Sequence, residues 1–146
     1  MQWHGALAAG FLVMVLAGAP VTASWEIFGL QVAAGTVLGY VGGYVGAQVA
    51  SLAVQALGIG LLDGVLAPIL AAYAGYAVGA TLGAWVGVTW TGWHFGLLSD
   101  PVPSLLGASL GTGLAFLFAS VTNWEWAFYL APPLASLGSA LLFSSF

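Results

Sequence analysis

Gly75, Gly79, Gly83 and Gly87 recur every four residues within an apolar run. On a helix, positions four apart lie on one face, so that face carries no side chains. In water each such glycine weakens a helix by about 1 kcal/mol relative to alanine. In lipid the bare face lets two backbones approach closely, and van der Waals contact takes the place of the hydrophobic drive that a bilayer cannot supply. The same step recurs at Gly35, Gly39 and Gly43, and again at Gly107 and Gly111. The chain therefore reads as all-α, a multi-pass transmembrane helical bundle held by glycine-zipper packing, with these nine glycines as its helix-packing residues.

Composition points the same way. Hydrophobic residues make up 62% of the chain and charged ones 3%, with a mean hydropathy of +1.09, which leaves too little polar surface to cover a soluble domain. Four carboxylates and no Lys or Arg leave nothing to neutralise phosphate, which excludes nucleic-acid binding. Cytoplasmic loops normally carry the basic residues that orient a membrane protein. Their absence points to insertion with a partner, or to a cell-envelope location such as an outer membrane or a virion membrane. Without cysteine there is no disulfide, thiolate metal site or lipid-bearing thiol.

Residues 1–24 have the apolar stretch and small-residue end of a secretory signal but lack its basic start, and we expect them to be retained as an apolar helix. All four carboxylates, Glu26, Asp63, Asp100 and Glu125, fall between apolar stretches and mark helix boundaries. Residues 25–99 then form a glycine-zipper hairpin turning at Gly58, Gly60 and Gly64, with Pro68 in or near the first turn of its second helix. Residues 100–146 form a C-terminal helix pair. Gly35, Gly39 and Gly43 map onto Gly75, Gly79 and Gly83 at a constant offset, a weak internal repeat. Strands are disfavoured because a membrane barrel needs two-residue alternation and frequent polar turns.

Length sets a problem. The 36 residues of 27–62, or of 64–99, would make a helix of about 54 Å, against a hydrocarbon core of about 30 Å. The excess requires tilt, a break at Gly58 to Gly60, or burial against other subunits, so partners beyond the lipid bilayer are expected: further copies or other membrane subunits.

Candidate chemistry is sparse. Asp100 before Pro101, and Asp63 before Gly64, suit helix capping, and Asn123 with Glu125 suits the start of the last helix. His94, among Trp90, Trp93 and Phe95, belongs to an interfacial aromatic belt or, alternatively, is the axial ligand of a chlorophyll or haem. His4 beside Trp3 has the same two readings. Trp25, Trp124, Trp126 and Tyr129 flank other helix ends. Gln31, Gln48 and Gln55 are polar residues within the first long stretch; Gln48 and Gln55 share a face and serve interhelical hydrogen bonding or, alternatively, line a pore. Two distant histidines and four dispersed carboxylates make no nucleophile–base pair and no metal cluster, so neither enzyme activity nor a cofactor is expected.

The run GTVLGYVGGYVGAQVA at 35–50, followed by AGYAVGATLGAWVG at 74–87, resembles the paired glycine-zipper helices of small bacterial envelope proteins, including lipoproteins of the SlyB type. A further GASLGTG stretch at 107–113 and a terminal helix containing Pro132 and Pro133 extend the similarity over residues 28–146. The resemblance implies a helical hairpin that oligomerises in, or organises, an envelope membrane. It brings no catalytic residues. The expected function is that of a non-catalytic integral membrane protein: a scaffold, a homo-oligomer or an accessory subunit.

Overall fold

The computed structural model describes residues 25–58, 66–122 and 125–143. They form four α-helices: α1 (Trp25–Ala56), α2 (Leu66–His94), α3 (Pro101–Thr122) and α4 (Ala131–Phe143), the last preceded by a 3-10 turn over Glu125–Leu130. There is no strand among the described residues. The expected N-terminal helix, Asp63, Gly60, Gly64, Asn123 and Trp124 lie outside them.

The helix ends follow local chemistry. Gly58 adopts φ +60° after α1, where its N–H donates to the Gln55 carbonyl at 3.2 Å. Past α2, Gly96 takes φ +76°. Its N–H donates to Trp93 O and that of Leu97 to Gly92 O, at 3.0 and 2.9 Å. This paired closure needs a left-handed residue, which glycine adopts without a Cβ penalty. Asp100 accepts the Val102 N–H on Oδ1 at 2.9 Å, and Pro101 occupies the first position of α3, where its missing N–H costs nothing. Glu26 sits in the first turn of α1 and Pro68 in that of α2.

Pro132 and Pro133 explain the 3-10 turn before α4. Neither can donate a backbone hydrogen bond, so the Tyr129 carbonyl loses both its 3-10 and its α-helical partner. The Tyr40 hydroxyl of α1 fills the gap, donating to Tyr129 O at 2.7 Å.

Helices α1, α2 and α3 are each long and apolar enough to cross a membrane. The helix α4 packs on all three and has no exposed residue. Its neighbours contribute alanines to the interior: Ala84, Ala108 and Ala135 form one buried cluster. Val88, Ala140 and Phe143 form another. Most other large apolar side chains point outward, among them Leu52, Leu70, Val78, Trp90, Leu106, Leu110 and Leu117, all at least 59% exposed. Such a distribution is inverted for water, yet leucine facing lipid tails loses nothing, and small residues inside bring backbones together. The chain is an integral membrane protein.

Candidate functional site

The α1–α2 seam is made of backbone. A Cβ built on Gly75, Gly79 or Gly83 would overlap the carbonyl oxygen of Gly46, Gly42 or Leu38 respectively. On Gly87 it would lie 2.7 Å from the Ala34 oxygen, closer than real Cβ atoms approach. The partners step by four in opposite directions, which defines one antiparallel register along the hairpin. The α1 side of this seam is thus Ala34, Leu38, Gly42 and Gly46.

Gly35, Gly39 and Gly43 do not lie on that line. Their row is rotated by about one residue, 100° around the helix, and faces the wedge between α2 and α4. A Cβ on Gly35 would meet Val88 Cγ2 at 2.8 Å and Ser136 Oγ at 2.9 Å; one on Gly39 would meet Pro132 Cβ at 2.9 Å. Gly43 instead accommodates the Tyr76 ring, 2.7 Å from where its Cβ would be. Two glycine rows side by side on α1 therefore serve two neighbours. The constant offset between the repeats plays no part, because antiparallel pairing matches opposite ends. Gly42 and Gly46 escaped the sequence reading, although they too are four apart.

A second seam joins α3 to α4. A Cβ on Gly107 would overlap Gly138 O, and one on Gly111 would overlap Leu134 O. Gly138, also unforeseen, returns the contact against Gly107.

Hydroxyl pairs bridge the same interfaces. Ser104 and Ser139 Oγ lie 2.7 Å apart between α3 and α4. Thr81 and Thr112 Oγ1 are 2.8 Å apart between α2 and α3. Thr36 donates to Ser136 Oγ at 3.3 Å, and Ser136 donates onward to Pro132 O at 2.7 Å. Trp85 Nε1 donates to Pro101 O at 2.9 Å, and the Ser99 hydroxyl donates to Phe143 O. Each such bond in a membrane contributes about 0.6 to 2 kcal/mol.

Gln31 continues the Gly35 row toward the start of α1 and is fully buried, donating from Nε2 to Val88 O at 3.3 Å. Its Oε1 has no partner among the described residues. Gly92 makes the room: a Cβ there would strike the Phe143 ring and come within 2.7 Å of Gln31 Nε2.

The other candidates stand apart. Exposed His94 ends α2, its ring edge-on to Phe95 at 5.5 Å. Gln48 and Gln55 are exposed on α1, with Gln55 Nε2 donating to Ser51 Oγ at 3.2 Å. No cluster of three metal-binding side chains occurs among the described residues. What the arrangement can do is hold helices at backbone contact inside a membrane. No family model, curated protein or solved structure matches the chain.

Proposed function

We propose that the protein is a non-catalytic structural subunit of a membrane assembly, a scaffold whose hairpin projects from the bilayer to meet a partner. The observation that carries this reading is helix length, since the 32 residues of α1 and the 29 of α2 outrun a hydrocarbon core of about 30 Å. Trp25 and Tyr44 on α1 are separated by about 28 Å of helix, and Trp93 and Tyr73, an exposed tyrosine of α2, by about 30 Å, both near the thickness of a hydrocarbon core. Aromatic belts at these levels suit the two membrane interfaces. Beyond Tyr44, α1 runs on to Ala56 for about 18 Å, and α2 starts about 10 Å beyond Tyr73, at Leu66.

That overhang is mostly apolar. Val49, Leu52, Leu57, Leu66 and Leu70 are all at least half exposed there, with Gln48, Ser51 and Gln55 as its polar side chains and no charged residue in those stretches of the two helices. An exposed apolar stretch carried beyond the hydrocarbon core suits a contact with another protein. A scaffold fits because the glycine rows are consumed within the chain, which leaves the overhang for outside contacts.

The test is particle mass. Extracted from its own membrane in mild detergent and measured by light scattering, the protein should travel in a particle larger than one 14.8 kDa chain. Leu52→Gln with Leu70→Gln should release the single chain with its helix content intact. A wild-type particle holding one chain and nothing else would contradict the proposal.

A further inference from the structure

Gln48 and Gln55 are exposed carboxamides on α1, beyond Tyr44 and on one face of the helix. They belong to a longer stripe. Val41, Val45, Gln48, Leu52 and Gln55 follow one another at steps of four, three, four and three, the a/d spacing of a coiled-coil seam. This seam looks away from the bundle: Val41, Val45 and Leu52 are each more than half exposed, and both glutamines are exposed. Gln55 donates from Nε2 to Ser51 Oγ on its own helix at 3.2 Å, which leaves its Oε1 to accept. Apolar residues at this spacing fit another helix. Two carboxamides among them ask that helix for donors and acceptors at the same heptad step.

We infer that the stripe pairs with the same stripe of a second copy of this chain, α1 against α1, parallel and in register. Symmetry argues for the copy. Molecules inserted in one orientation and related by a two-fold axis along the membrane normal bring α1 to α1 in the same direction, so each residue of the stripe faces its own counterpart. A carboxamide suits that position because it donates and accepts at once, and so pairs with another of its kind. The stripe carries no charged group and the chain has no Lys or Arg, so a partner held by salt bridges has nothing to grip. The glycine rows of α1 are turned to α2 and α4, which leaves this face for the contact. Polar residues within such a seam fix register, and here two of them do so one heptad apart.

The inference rests on the reading that the projecting hairpin meets a protein, and it names that protein. The chain has no cysteine, so Gln48→Cys and Gln55→Cys each carry a single thiol. Oxidised in the membrane and run on a non-reducing gel, each should give a covalent dimer, while Leu110→Cys, 66% exposed on α3, should remain single. Both glutamines are exposed, so either variant serves if the other fails to accumulate. In the Gln55→Cys background, Gln48→Glu sets two carboxylates against each other across the two-fold axis and should lower the cross-link about tenfold. A cross-link that Gln48→Glu leaves unchanged would overturn the inference. So would a dimer that forms only between a Gln48→Cys chain and a Gln55→Cys chain, which marks an antiparallel pair. Absence of any cross-link in a particle heavier than one chain would refute the second copy alone, whereas a particle of one chain would refute the projecting hairpin's partner as well.

Discussion

Two adjacent prolines shape the chemistry of one carbonyl. Pro132 and Pro133 strip the Tyr129 oxygen of both helical donors, and Tyr40 supplies the replacement at 2.7 Å. Tyr40→Phe should therefore cost about 0.5 to 1.5 kcal/mol in detergent unfolding, the net contribution of one hydrogen bond. Pro133→Ala gives that oxygen a backbone donor, so in its background Tyr40→Phe should cost close to nothing. A double-mutant cycle without coupling would show that the phenol does something else. Asp100 ahead of Pro101 was legible from sequence because capping is local. The partnership of Tyr40 with Tyr129 was not, since nothing in residues 89 positions apart announces that they meet.

Elements were legible where apolar length and glycine spacing agreed. The long helices and their ends at Gly58, Gly96 and Asp100 follow from turn and cap chemistry that operates over a few residues. Which glycines face which neighbour was not legible, because a row shifted by one residue looks equally bare in sequence. Gly42 and Gly46 thus lie on the α1 side of the hairpin seam, while Gly35 and Gly39 face the wedge between α2 and α4. The short α4 was expected as the second helix of a C-terminal pair; its place among three longer helices was not legible, because it depends on contacts between distant residues. The α3–α4 register can be checked directly, because the chain has no cysteine. Ser104→Cys with Ser139→Cys should oxidise to a disulfide and lose its free thiols, given hydroxyls 2.7 Å apart. Ser109→Cys with Ser139→Cys, with Ser109 on the exposed side of α3, should keep both thiols. The reverse pattern would place α4 on a different face of α3.

At the scale of the whole molecule, the bundle is built inside out relative to a soluble protein, with mostly glycine, alanine and serine within and most leucines outside, Val88 and Phe143 being buried exceptions. Composition alone made that inversion legible, since a chain with 3% charged residues cannot cover itself for water. The interior hydroxyl pairs were not legible, because they arise only once the helices are assembled. Stability should then depend on where a glycine sits rather than on how many there are. The most direct measurement compares detergent unfolding of Gly42→Ala with Gly79→Ala against that of Gly29→Ala with Gly113→Ala. The seam pair would press a methyl onto opposing backbone, whereas the outer pair meets open space. Seam substitutions should destabilise by about 1 to 3 kcal/mol each, and outer ones should be neutral or stabilising. Equal effects from the two pairs, or a stable fold carrying both seam alanines, would contradict packing through bare glycine faces.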